Sequence, residues 1–89
     1  LTFKDFDEVI ERANKNDLGL ASYIYTNNLE KAHKASELME TGTVAVNTPV
    51  VALPEAPFGG IKQTGYGREG GSMAIKDYLN IKYTHLGIN

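Results

Sequence analysis

The alternation of two hydrophobic periods along residues 1–47 is the feature that most constrains the fold of this chain. In two separate segments, apolar residues recur at the three- and four-residue spacing of one helical face. Asp5, with Glu8 three residues later, has the pattern of a helix N-cap, and Asn27 or Asn28 is suited to begin the second helix. Short stretches rich in Val, Ile and Tyr flank these helices. The order strand, helix, strand, helix, strand predicts an α/β fold with a parallel sheet and right-handed crossovers.

These elements account for only part of a typical α/β sheet. The sequence predicts strands over residues 1–3, 20–26 and 43–46, a helix that ends near Asn14, and a helix from Leu29 to about Glu40. Gly42 stands where a left-handed glycine would end the second helix. Three strands would leave both sheet edges open in isolation, a situation that natural domains avoid. This, together with a first residue that is Leu1 and not Met, predicts that the chain is a fragment.

Residues 48–71 break the alternation. They contain all three prolines and six of the nine glycines of the chain, but also enough apolar residues to argue against disorder. A loop of this length in a compact domain is usually functional. Ser72 is predicted to cap a short helix that runs through Leu79. Ile81–Ile88 then alternates like a strand, and we expect it to pair either with the chain's own sheet or with another subunit.

Composition excludes several classes of function. The 89 residues carry a net charge of -2, so no basic surplus is present for nucleic acid. The chain contains no cysteine, which excludes disulfides, thiolate metal sites and a cysteine nucleophile within it. No apolar run approaches the roughly 20 residues that span a bilayer, and the polar start does not resemble a signal peptide. We therefore expect a cytoplasmic protein that binds neither nucleic acid nor membrane.

Residues 65–70 match the dinucleotide-binding pattern G-x-G-x-x-G, but their context does not fit it. The preceding residues read as loop, and only 19 residues follow Gly70. A tightly folded loop with several positive φ angles is the favoured interpretation. Arg68 and Glu69 are expected to hold this loop through backbone hydrogen bonds more than to perform chemistry. His33 and His85 lie in separate elements, so no metal site is predicted.

The segment Ala56–Gly71, which reads APFGGIKQTGYGREGG, resembles the P-F-G-G-x-K-x-[ST]-G-x-G-R-E signature of NAD(P)-dependent aldehyde dehydrogenases. Three other segments resemble that family: Ala13–Ala21, Gly42–Asn47 and Asp77–Tyr83. The resemblance covers essentially the whole chain and corresponds to about the last fifth of such an enzyme. The tail resembles that of succinate-semialdehyde dehydrogenases. The loop that precedes P-F-G-G lacks the serine usual in those enzymes, so the exact aldehyde stays open.

The resemblance implies a division of roles. Residues 1–79 would complete the catalytic domain, and residues 80–89 would be an oligomerisation strand. The cysteine nucleophile, the glutamate that activates water and the NAD or NADP site lie upstream in the family, so we expect the chain alone to be inactive, with no catalytic, cofactor or metal residue. The residues expected to line the substrate tunnel are Val50, Val51, Ala52 and Phe58, and those expected to join subunits in a homo-oligomer are Ile81, Tyr83 and His85. The alternative is a small stand-alone α/β module for anion binding or assembly.

Overall fold

The computed structural model describes all 89 residues and confirms a mixture of helices and strands with a small parallel sheet. The elements in chain order are α1 (Phe6–Asn14), β1 (Leu18–Gly19), β2 (Ala21–Ile24), α2 (Leu29–Leu38), β3 (Thr43–Val46), β4 (Ile61–Lys62) and a 3₁₀ helix (Ala74–Tyr78). β2 and β3 pair in parallel, with Ala21 opposite Thr43 and Ile24 opposite Val46. The connection between them is α2, as the alternation of periods predicts.

Both helices begin where the sequence predicts. The side chain of Asp5 accepts a hydrogen bond of 3.0 Å from the backbone N–H of Glu8. Asn28, and not Asn27, caps α2 by accepting from the N–H of Lys31 at 2.8 Å. The carboxylate of Glu8 does not return to the cap; it pairs with Arg12 one turn later at 3.0 Å. Each cap therefore satisfies one of the free N–H groups at its helix start.

The predicted strand at residues 1–3 is not formed, so the parallel sheet has two strands where the sequence predicts three. A strand needs a neighbour to accept its ladder, and residues 1–3 are exposed with no strand beside them. The predicted strand at 20–26 is shorter than expected, since β2 covers Ala21–Ile24 only. β1 lies just before it, where the sequence predicts only the end of a helix, and pairs antiparallel with β4, with Leu18 opposite Lys62 and Gly19 opposite Ile61. This second sheet, absent from the prediction, ties the loop after β3 to the first half of the chain.

The interpretation of Gly42 as a left-handed helix end is wrong. α2 ends at Leu38, its C-cap Met39 is extended, and Gly42 is not among the residues with positive φ. A Cβ on Gly42 would instead overlap the carbonyl oxygen of Gly59 and lie 2.8 Å from the carbonyl carbon. Glycine is required here because two backbone segments touch.

The end of the chain also differs from the prediction. The short helix is a 3₁₀ helix with Met73 at its N-cap position, and no side chain, including that of Ser72, caps it. Residues 79–89 form no strand, and the side chains of Ile81 and Ile88 are almost fully exposed. The tail does not pair with the chain's own sheet, which removes one of the two predicted partners.

The chain has a thin core. Six of its 89 residues are buried, and the apolar ones, Ala32, Ala35 and Ala45, are small. An apolar groove of about 460 Å³ remains open between α1, β2 and α2. The molecule is elongated, with extents of 73 × 24 × 19 Å. None of its helices has the length and apolar character needed to cross a membrane.

Candidate functional site

The four predicted tunnel residues lie in the loop that joins β3 to β4. Val50 and Ala52 are exposed, whereas Val51 and Phe58 are half-buried. Near the start of this loop, the hydroxyl of Thr48 accepts a hydrogen bond of 3.1 Å from the N–H of Val50. None of the three main cavities of the chain is lined by these residues. They form an apolar surface and not a closed pocket, so their role as a tunnel wall stays a prediction.

Phe58 is held by its backbone. It forms an isolated antiparallel bridge with Glu69, with a hydrogen bond of 2.7 Å in each direction. The N–H of Gly71 donates to the carbonyl of Pro54 at 2.9 Å, so the same two segments meet again on the other side of Phe58. The backbone of Phe58 is therefore held by residues that follow it in the glycine-rich signature.

Arg68 serves this loop as the sequence predicts. Its Nη1 donates to the carbonyl oxygens of Gly60 at 2.9 Å and Gly67 at 2.7 Å. Its backbone N–H donates to the carboxylate of Asp77 at 3.0 Å, which attaches the loop to the 3₁₀ helix. Glu69 takes part through its backbone in the bridge to Phe58. Since the Arg68 guanidinium is engaged with two carbonyls, the structure gives no support to an anion site built on it.

Four glycines of the signature adopt positive φ angles, which confirms the tightly folded loop. These angles are 106° at Gly65, 81° at Gly67, 67° at Gly70 and 64° at Gly71. The loop does not connect a parallel strand to an α-helix. It follows the two-residue antiparallel β4, and the next regular element is the 3₁₀ helix. A pyrophosphate bound in the usual way needs the N-terminus of an α-helix at this point. The residues of the loop therefore do not fit a dinucleotide site.

Three anchoring side chains were not predicted from the sequence. Asn14 donates to the carbonyl of Leu38 at 2.8 Å and accepts from the N–H of Glu40 at 2.9 Å, which joins the ends of the two helices. Asn47 accepts from the N–H of Thr26 and donates to its carbonyl, both at 2.9 Å. Lys62 contacts the end of α1 from β4. The partners of Asn14, Asn47 and Lys62 are 21 to 48 residues away in the chain. A local pattern cannot reveal them; a polar residue at the end of a helix or strand was the available signal.

The side chain whose pKa is clearly shifted lies outside this loop, in α1. The hydrogen bond and the charge of Lys15, whose Nζ is 2.6 Å from the carboxylate of Glu11, hold the pKa of Glu11 below its ordinary value. The pair is one helical turn apart on the exposed face of α1. No group of three His, Cys, Asp or Glu side chains is arranged to hold a metal ion. What the loop offers is shape and an apolar surface.

The profile of the Aldehyde dehydrogenase family matches residues 1–84. The chain belongs to the aldehyde dehydrogenase family. It is 51% identical over 85 residues to a 3-sulfolactaldehyde dehydrogenase of Pseudomonas putida, covering 96% of this chain and 18% of that enzyme. It is 45% identical over 86 residues to the NADP(+) succinate-semialdehyde dehydrogenase of Escherichia coli (strain K12), covering 97% of this chain and 18% of that enzyme.

Solved structures, among them that of a succinate-semialdehyde dehydrogenase from Burkholderia pseudomallei with a TM-score of 0.90, contain the same arrangement. The crystal structure of an NADP-dependent enzyme from E. coli superposes with a TM-score of 0.91 at 44% identity, covering 99% of this chain and 18% of that one. This chain therefore spans slightly less than a fifth of the length of the aldehyde dehydrogenases that it matches. The resemblance given by the P-F-G-G signature is confirmed at the level of the family.

Proposed function

We propose that this chain is the segment of an aldehyde dehydrogenase that supplies part of the substrate-tunnel wall and the strand for subunit assembly. The whole enzyme would oxidise an aldehyde to the carboxylic acid with NAD(P)+. The observation that carries the proposal is the identity of 45–51%, over nearly the whole chain, with two dehydrogenases of small aldehydes. The names of both substrates describe aldehydes with an acidic group, which favours a semialdehyde or a similar acidic aldehyde.

The apolar loop suits the role of a wall. Val50 and Leu53 each expose more than half of their surface within this chain, so they are free to line a passage completed by the rest of the enzyme. Exclusion of water from such a passage favours attack on the aldehyde by a thiolate and protects the acyl intermediate. This segment contains no cysteine, so the nucleophile has to come from another part of the enzyme. NAD(P)+ would supply the hydride acceptor, also outside this segment.

The tail suits the role of an assembly strand. Ile81 and Tyr83 are almost fully exposed, and no strand of the chain pairs with them. The hydroxyl of Tyr83 lies 3.1 Å from Nδ1 of His85, which holds these two side chains beside each other in the single chain. Addition of this segment to a sheet of a second subunit would satisfy its backbone groups and bury these side chains. Each large apolar side chain so buried would contribute about 1.5–3 kcal/mol.

The test begins with the gene that contains this segment. Its full product, hereafter the complete enzyme, is purified and offered succinate semialdehyde, 3-sulfolactaldehyde and hexanal, each with NAD+ and with NADP+. We expect reduction of the cofactor with at least one acidic aldehyde, and no reduction with the 89-residue segment alone. A complete product that oxidises none of the aldehydes, or a segment that is active alone, would contradict the proposal.

A further inference from the structure

Lys62 adopts a backbone conformation that its residue type disfavours. Its φ angle is 56°, in the left-handed region where residues with a Cβ are uncommon. Such a conformation costs an L-residue about 1–2 kcal/mol. A glycine would meet the same backbone requirement without that cost. A lysine in this conformation points to a use for its side chain, and the side-chain contacts identify that use.

The ammonium of Lys62 joins three parts of the chain. Its Nζ donates to the carbonyl oxygens of Asn14 at 2.9 Å and Asn16 at 3.2 Å. It also lies 2.6 Å from the carboxylate of Glu40, just beyond α2. The carbonyl of Asn14 belongs to the last turn of α1, where carbonyls lack helical partners and a positive charge is favourable. The side chain is 24% exposed, so solvent screens these contacts less than those of an ordinary surface lysine.

Lys62 ends a short segment that begins at the predicted tunnel residue. This segment, the strap (residues 58–62), contains the two successive glycines Gly59 and Gly60, which provide little stiffness of their own. It is held at Phe58 by the bridge to Glu69 and at Gly60 by Arg68. At its far end the backbone pairs with β1, and the side chain of Lys62 joins it to the end of α1 and to Glu40 beyond α2.

We infer that Lys62 is a positioning residue for Phe58. Its ammonium fixes the far end of the strap to the helices, and the strap sets how far the Phe58 ring projects from the tunnel wall. Loss of the ammonium leaves the end of the strap held to β1 by its backbone but no longer fixed to the two helices, which shifts the strap and changes the width of the passage, although Lys62 itself does not touch substrate. The inference rests on the proposed function, because it takes Phe58 to line the tunnel.

The test compares variants of the complete enzyme with 4-fluorophenylalanine placed at position 58 by codon suppression. Lys62→Met keeps the side-chain stem and removes the charge and the donors, whereas Lys62→Arg keeps both. Lys15→Met is the matched control, because Lys15 also lies at the end of α1 but pairs only with the exposed Glu11. The readouts are the ¹⁹F resonance at position 58 and the ratio of kcat/KM values for a short and a long aldehyde.

We expect Lys62→Met to shift or broaden the ¹⁹F resonance and to change the kcat/KM ratio about tenfold, the scale of one misplaced wall contact. Lys62→Arg should keep both the ¹⁹F resonance and the kcat/KM ratio close to those of the wild type, and Lys15→Met should change neither readout. An unmoved resonance, or an equal loss of kcat/KM for both aldehydes, overturns the inference. If Lys62→Met does not fold, Lys62→Gly removes the same ammonium while relieving the backbone, and the same outcomes apply.

The two readouts separate this inference from the proposed function. If the complete enzyme oxidises no aldehyde, the proposed function fails, and the ¹⁹F resonance still reports whether Lys62 positions the ring. If aldehydes are oxidised and the resonance of Lys62→Met matches that of the wild type, the positioning role fails and the proposed function stands.

Discussion

Replacement of Gly42 by alanine is expected to destabilise the packing of the strap against β3. The added Cβ would overlap the carbonyl oxygen of Gly59 and lie 3.0 Å from Cα of Gly60. Both contacts are with backbone atoms, so no side-chain rotation relieves them. Gly42 cannot retreat freely either, because its N–H donates to the carbonyl of Gly19 at 2.9 Å. The strap has to move.

The size of the effect follows from what that movement breaks. Restoring ordinary contacts requires a backbone shift on the order of 1 Å, and overpacking of a well-packed site costs about 1–3 kcal/mol. The shift also strains the hydrogen bond from Arg68 to the carbonyl of Gly60, a charge-assisted contact worth about 1.5–3 kcal/mol. Since the strap can adjust partly, we expect a net loss of about 3 kcal/mol for Gly42→Ala.

The measurement is the denaturant midpoint of the complete enzyme, supported by hydrogen exchange of the β2 and β3 amides. Gly65→Ala is the control, because Gly65 has a φ of 106° and nothing lies within 4 Å of its added Cβ. Its cost is conformational, about 1–2 kcal/mol. Gly42→Asn separates a left-handed helix end at Gly42 from a close approach of two backbones. Asparagine tolerates the left-handed conformation better than alanine, but its side chain is larger. The close approach of backbones is refuted if Gly42→Ala costs no more than Gly65→Ala, or if Gly42→Asn is the milder of the two replacements.

Three further outcomes are expected. Phe58→Ala in the complete enzyme should change discrimination between aldehydes of different length by about 1–3 kcal/mol, measured as ratios of kcat/KM; flat ratios would exclude Phe58 from the wall. Tyr83→Pro removes a backbone donor from the tail and should shift the complete enzyme toward smaller assemblies in light scattering; an unchanged mass would remove the tail from the interface. Lys15→Met should raise the pKa of Glu11 toward its ordinary value in an NMR titration, because that pKa is lowered by Lys15. A carboxyl group whose pKa is lowered in the folded state stabilises the fold above its unfolded pKa, and this stabilisation is lost as pH falls through the folded pKa. Any stability advantage of the wild type over Lys15→Met should therefore disappear in acid. If the pKa of Glu11 is the same in both proteins, the pairing is contradicted.

The parts of the fold that local sequence determines were predicted well. Asp5 and Asn28 act as caps because a cap needs only its own side chain and an N–H three residues later. The parallel pairing of β2 with β3 follows from the helix between them, which leaves few other topologies. The positive φ angles of the four glycines at positions 65, 67, 70 and 71 follow from the density of glycine there, whereas that of Lys62 was not predicted.

Apart from the helix cap expected at Ser72, the predictions that failed concern contacts between distant segments. The strand expected at residues 1–3 is absent because a strand exists only beside a partner, and this chain provides none. Residues 81–88 do not pair with the chain's own sheet, so their pairing with another subunit stays a prediction. Gly42 has the sequence position of a helix end, whereas its real constraint is Gly59, 17 residues later. The wall residues themselves came from the family resemblance, since exposed apolar residues in a loop carry no pattern that identifies a substrate passage.

In the proposed function, residues of the signature support a wall that the preceding loop helps to form. Arg68 binds a backbone carbonyl, and Lys62 binds a backbone carbonyl and the carboxylate of Glu40, so both side chains hold the strap. Val51 and Ala52 form no hydrogen bond within the chain. If these two residues line the tunnel as proposed, a replacement there would change the surface offered to an aldehyde while the strap and its anchors stay in place. If the proposed function and the positioning role of Lys62 hold, such a separation would allow one scaffold to serve aldehydes of different shape, because substrate preference could change without loss of the support for Phe58.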